Sequence, residues 1–202
     1  MKVKILVSAA IVLALAACSP KGGWTPAEMD IISADTPLHV LTIYDREENQ
    51  VLRTPCADLS AEEINSEAYK TLAEKMIATV TDPSQDGVGI AAPQIGISRR
   101  VIAVMRFDRM GDPFRVYPNA RVTKVYGEQE AAPEGCLSIP GLRADVLRYR
   151  DIEVSYTSPA TLRDTTEHVM GFTAVIFQHE CDHLDGVLYL DKKVPGTLIA
   201  RE

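Results

Sequence analysis

The segment running from Gly171 to His183 (GFTAVIFQHECDH) constrains this chain more than any other. Phe172, Ala174, Val175, Ile176 and Phe177 make its first turns apolar nearly all round, which predicts a central buried helix from about Gly171 to Leu184. Gly186 is placed to cap its end. His179 and His183 stand four residues apart, so they are separated by about 40° around the helix axis and share a face. Unpaired imidazoles at the end of so apolar a helix would be costly to bury. One divalent ion shared between them removes that cost. The plainer account, two structural histidines in a chance H-E-x-x-H, leaves the cost standing. Glu180 lies beside the same face, free to handle protons on a metal-bound water.

A catalytic ion of this kind takes three protein ligands and keeps one position open. Three candidates exist for the third ligand. The extended pattern H-E-x-x-H-x-x-G-x-x-H finds Gly186 in place but Tyr189 where its last histidine should be. A glutamate on a later helix is the second option, but the only one after His183 is the terminal Glu202. The third is Cys136, in Glu134-Gly135-Cys136-Leu137-Ser138, where a thiolate with two imidazoles would suit iron, zinc or nickel. Taken alone, Cys136 could equally be a small buried hydrophobe.

Upstream, Gly87-Val88-Gly89-Ile90-Ala91-Ala92-Pro93-Gln94 is a run of small residues ending in an amide. It has no Lys-Ser/Thr partner and no G-x-G-x-x-G, so it is not a phosphate cradle. Small residues let a backbone lie close to a ligand, and Gln94 can donate an N–H to a polarised oxygen.

Together, the Gly87–Gln94, Glu134–Ser138 and Gln178–His183 segments resemble the three signature motifs of peptide deformylases, in the family's order and at every fixed position. The resemblance covers roughly residues 37 to 195. It implies an α+β fold of the deformylase type, with antiparallel or mixed sheets packed around a central metal-binding helix. It implies metal ligation by Cys136, His179 and His183, and removal of the formyl group from N-formylmethionyl peptides. Glu180 would move the proton, while the Gln94 amide and the Leu137 backbone N–H would bind the developing oxyanion. The ion would be ferrous iron, with zinc or nickel compatible with the same ligands. By motif position, Val88, Phe172, Val175 and Ile176 would line the methionine pocket, with core packing the plainer role for Phe172 and Val175. Arg143 would lie near the peptide backbone. A cramped wall at Gly89 would favour formyl over acetyl. Two other classes are weighed: an exported formyl-peptide binding or sensing protein, and a hydrolase of other small N-acyl groups. Glu180 and Gln94 speak against the first, since binding needs no proton shuttle.

The remaining sequence sets the frame. A chain of 202 residues, 46% hydrophobic, suits one compact domain. Its net charge of -7 argues against nucleic-acid partners, and no feature fixes an oligomeric state. A helix is predicted over 66–80, ended by Asp82-Pro83, and strands over Arg100–Phe107, Arg121–Tyr126, Ile152–Tyr156 and Thr166–Met170. Order and length suggest α+β. Lys2 and Lys4 precede an apolar stretch too short to span a bilayer comfortably. Leu15-Ala16-Ala17-Cys18 resembles a bacterial lipobox, which implies cleavage after residue 17 and lipidation of Cys18. The expected organisation is a signal over 1–17, a Gly/Pro-broken tether over 18–36 and a catalytic domain over 37–202. The expected address is the periplasmic side of a membrane, with the outer membrane suggested by Ser19. An unprocessed leader would leave the protein cytoplasmic. Cys56, Cys181, His39 and His168 are expected to be structural or exposed.

Overall fold

The computed structural model describes residues 23–85 and 87–200. The signal expected over 1–17 and the expected lipidation site Cys18 lie outside the described residues. The chain begins with three short helices, α1 (Pro26–Ser33), α2 (Arg46–Leu52) and α3 (Ala61–Ile64), and the longer α4 (Glu67–Val80). Strands β1 (Gly89–Ala91), β2 (Val101–Met105) and β3 (Phe114–Pro118) form one antiparallel sheet in that order. A second antiparallel sheet joins β4 (Arg121–Cys136), β5 (Ile139–Thr157) and β6 (Asp164–Met170), followed by α5 (Gly171–Leu184) and α6 (Tyr189–Lys192). A last strand, β7 (Ile199–Ala200), pairs with β5. Every strand pair among the described residues is antiparallel.

The first sheet is covered on both faces, and β2 shows how. Successive side chains of a strand point to opposite faces. Val101 and Ala103 join a core with Leu72, Met76 and Val80 of α4, whereas Ile102 and Val104 join one with Ala174, Phe177 and Leu184 of α5. A strand buried on both sides reads as an unbroken apolar run, which is why β2 was legible. Ile152 and Val154 of β5 and Val169 of β6 close the second core over α5. The helix ends in a Schellman arrangement: Gly186 N–H donates to His183 C=O and Val187 N–H to Asp182 C=O, with Gly186 at φ 72°. A side chain there would also meet the Arg53 carbonyl at 2.4 Å.

Two expectations need correction. Within the tether expected over 18–36, the described residues carry a helix packed against the domain. Thr25 and Glu28 form a capping box around Pro26 at the first helical turn, so this proline starts α1 rather than breaking it. Ile32 is buried, Trp24 Nε1 donates to Ser66 Oγ, and Arg99 holds Glu28, Glu63 and the Gly23 carbonyl. The buried helix α5, in turn, has an exposed beginning, with Phe172 49% accessible. The sheets also extend beyond the strands read from sequence, since β4 and β5 form one long hairpin.

Candidate active site

The site forms where the end of β4 meets the last turns of α5. The hairpin register pairs Cys136 with Ile139, leaving Leu137 and Ser138 as the turn. This places Cys136 Sγ 3.2 Å from His183 Nε2. One ligand atom from each of Cys136, His179 and His183 lies within 4.8 Å of the others. The three residues expected to hold a metal are therefore together.

The ring orientations suit an ion. Glu134 Oε2 lies 2.8 Å from His179 Nδ1, which leaves Nε2 for a metal. Arg148 bridges Glu134, at 2.7 and 3.1 Å, to Asp182 at 2.6 Å, and Lys192 caps Asp182 at 2.6 Å. Burial alone would raise the Glu134 pKa, but hydrogen bonds from His179 and Arg148 bring it down to about 2. Burial opposes a charge on His179, yet the Cys136 sulfur and Glu134 carboxylate hold its pKa well above the usual value. His183 is held well below that value by burial and by the charges of His179 and Arg148. Positive charge beside Cys136 and Glu134 is thus favoured at the His179 ring and opposed at the His183 ring. A divalent cation held by one thiolate and two neutral imidazoles fits that balance. Tyr189 is buried with its ring stacked near His179, centroids 6.2 Å apart.

Glu180 faces the start of β1. A Cβ on Gly89 would sit 2.4 Å from Glu180 Oε1 and 2.8 Å from Ile176 Cγ2, so only glycine lets the strand approach this closely. Burial, with the negative charge of Glu134 adding to it and His179 opposing, pushes the Glu180 carboxyl up to about 7. Such a group can both take and give a proton near neutrality. Gln94 is oriented by its own backbone neighbourhood. Ala91 N–H donates to Oε1 at 2.8 Å, which turns Nε2 toward Ser138 Oγ at 3.1 Å and Cys136 Sγ at 3.5 Å.

These groups border a cavity of about 430 Å³. Its walls include Val88, Gly89, Gln94 and Leu137 on one side and Val175, Ile176 and His179 on the other. Phe172 and Arg143 stand at its exposed margin. The structure thus gathers every expected site residue except Cys18, with His183 buried behind the wall. Cys181 faces away, toward a separate cavity behind α5 also lined by Arg100 and Tyr149. His39 and His168 are exposed, and Cys56 is partly buried against the α5 core. Sequence reasoning missed Arg148 and its link to Asp182. The available signal was the pair of motif carboxylates, Glu134 and Asp182, which need a cation once buried.

Residues 39–197 match the model of the polypeptide deformylase family. The chain is 34% identical over 151 residues to a peptide deformylase of Leptospira biflexa, covering 71% of this chain and 83% of that one. Among solved structures it is similar to a peptide deformylase of Synechococcus elongatus in complex with actinonin, with a TM-score of 0.68, 36% identity and coverage of 81% and 84%. It is also similar to a Met-Ala-Ser-bound class I type b peptide deformylase of Acinetobacter baumannii, with a TM-score of 0.67, 35% identity and coverage of 78% and 99%.

Proposed function

The chain belongs to the polypeptide deformylase family, and on that premise we propose how its own residues divide the reaction. It is a metal-dependent hydrolase that removes the N-formyl group from formylmethionyl peptides. The observation that carries the assignment of roles is the convergence of Cys136, His179 and His183 on a cavity that also receives the Glu180 carboxyl and the Gln94 amide.

Cys136, His179 and His183 would hold the ion, with Glu134 fixing the His179 ring. When bound, the ion supplies a water acidified toward neutrality and polarises the formyl carbonyl. Glu180 accepts the proton released by the attacking water and returns it to the leaving amine, a task suited to a carboxyl raised to about 7. The Gln94 Nε2–H and the Leu137 backbone N–H donate to the carbonyl oxygen as it gains charge. Gly89 brings the strand against Glu180 and leaves little room for an acyl group larger than formyl. Val88, Val175, Ile176 and Phe172 take the methionine side chain, and Arg143 meets the peptide backbone at the exposed margin. The ion we assign is ferrous iron, in keeping with the family resemblance and the thiolate-imidazole donor set. We also propose that Cys18 is lipidated and holds the domain on the periplasmic side of a membrane, a reading supported by Leu15-Ala16-Ala17-Cys18.

Purified, iron-loaded protein is expected to release formate from formyl-Met peptides and to leave acetyl-Met peptides intact. Glu180→Ala should keep its metal and lose turnover by at least about 10²-fold, the low end for a lost proton-transfer group. Loss of the metal in that variant would mean that Glu180 is a ligand rather than a shuttle. Metal retention without turnover in the wild-type protein would favour the formyl-peptide binder.

A further inference from the structure

The cavity behind α5 encloses about 630 Å³ and shares no lining residue with the one that receives Glu180 and Gln94. Small-molecule sites usually span about 300–1,000 Å³. Its lining is of two kinds. The β4–β5 hairpin contributes the apolar side, with Val125, Leu147 and Tyr149. Val125 and Leu147 are 40% and 45% exposed, so this apolar surface stands in water. The charged side sets Arg100, Arg121, Arg148 and Lys192 against Asp182 and Asp185, an excess of positive groups in a chain of net charge -7.

Two of the four cations are committed. Lys192 and Arg148 hold Asp182, and Arg148 also holds the Glu134 that orients His179. Arg100 and Arg121 are arranged otherwise. Their guanidinium groups converge on one oxygen, Asp58 Oδ1, with Arg121 Nη2 at 2.6 Å and Arg100 Nε at 3.9 Å. Arg100 also donates to Asp185 at 2.5 Å and to the Ala120 carbonyl at 2.9 Å. Its Nε–H nevertheless has no acceptor within hydrogen-bond distance among the described residues, although Arg100 is only 7% exposed. Asp58 is exposed, and exposed ion pairs are worth little, so another carboxylate can replace it at small cost. Two guanidinium groups aimed at one oxygen form a carboxylate-binding point. Here that point borders an apolar surface.

We propose that this cavity binds a small organic anion with an aliphatic body, its carboxylate between Arg100 and Arg121 and its chain laid on Val125, Leu147 and Tyr149. The excess of positive groups disfavours a cation, and a purely polar anion leaves the apolar side uncovered. The site lies on the back of the helix that carries His179 and His183, and it stands whether or not formyl peptides are substrates. Octanoate is the probe, titrated calorimetrically into metal-loaded protein. Butyrate, with a chain half as long, should bind at least about tenfold more weakly. Octanol, which keeps the chain without the charge, should lose a similar factor. Leu147→Glu sets a negative charge on an exposed position of the apolar side and should weaken octanoate by at least about tenfold. Asp58→Asn removes the competing carboxylate and should tighten octanoate several-fold, a gain that damage to the fold cannot produce. Affinity unchanged in both variants would place octanoate elsewhere and overturns the proposal. So does a failure of millimolar octanoate to bind at all.

Discussion

At the scale of single residues, the site depends on one missing methyl group. Gly89 approaches Glu180 and Ile176 so closely that a Cβ would overlap the carboxylate oxygen. Gly89→Ala should therefore displace the Glu180 carboxyl while leaving Cys136, His179 and His183 in place. The expected result is a kcat lowered on the order of 10²-fold, the effect of a misplacement of about 1 Å, with full metal content. Kinetics alongside metal analysis checks it; an unchanged kcat would remove Glu180 from the role given to it. Arg148 acts at the same scale. It turns two acidic motif residues, Glu134 and Asp182, into a brace that orients His179. The motifs made the ligands legible because a helix puts residues four apart on one face. The brace was not legible, because which of Arg143, Arg148 and Arg150 meets Glu134 depends on a hairpin register that local sequence does not carry.

Elements were legible in proportion to their burial pattern. Helix α5, helix α4 and strand β2 stand close to their expected bounds because each presents its apolar face, or both faces, to a core. Only the ends of β4 and β5 were expected. From Gly127 to Glu130 the hairpin is mostly exposed and polar, and its register shifts between Tyr126 and Gln129, so alternation is lost. Helix α1 falls within the expected tether because Pro20, Gly22, Gly23 and Pro26 mark irregular chain, yet Thr25-Pro26-x-Glu28 is also a helix start. Its attachment gives a pH-dependent prediction. Burial raises the pKa of Glu28 and Glu63, but hydrogen bonds and the charge of Arg99 more than offset this, leaving both below the usual 4.5. A depressed folded pKa stabilises the fold above the unfolded value, and that contribution is lost as pH falls through the folded one. Glu28→Gln should lower Tm by about 2–4 °C above pH 5, with the gap to wild type closing toward pH 3. A gap that holds constant across that range would show that the Glu28–Arg99 pair contributes nothing through its charge.

For the whole molecule, the same attachment decides how a lipid anchor could be reconciled with a peptide-binding cavity. Gly23 is pinned on both sides, its N–H to Glu63 and its carbonyl to Arg99, and Trp24 is held at Ser66, the N-cap of α4. From Cys18 to Gly23 the chain can reach at most about 18 Å. Gly23, where any anchored segment would join the described residues, thus lies at the Ser66 end of α4, whereas the cavity lies at the other end, where Gly87 N–H donates to the Val80 carbonyl. The two ends are separated by the length of the helix, about 21 Å for its 14 residues. Strand β2 runs the same way, from beside Arg99 to Met105 at the Val88 carbonyl. An anchor at Cys18 thus draws one pole toward the bilayer and leaves the cavity at the other, open to peptides in the aqueous compartment. Lipidated protein on vesicles should cleave a soluble formyl-Met-Ala-Ser peptide with a kcat/KM within about twofold of a form lacking residues 1–18, because the bilayer does not restrict access to the cavity. Cys18→Ser should abolish lipid labelling and vesicle binding without altering that value. A tenfold loss of activity on the membrane, with labelling intact, would mean that the bilayer covers the cavity; labelling that survives Cys18→Ser would remove the anchor itself.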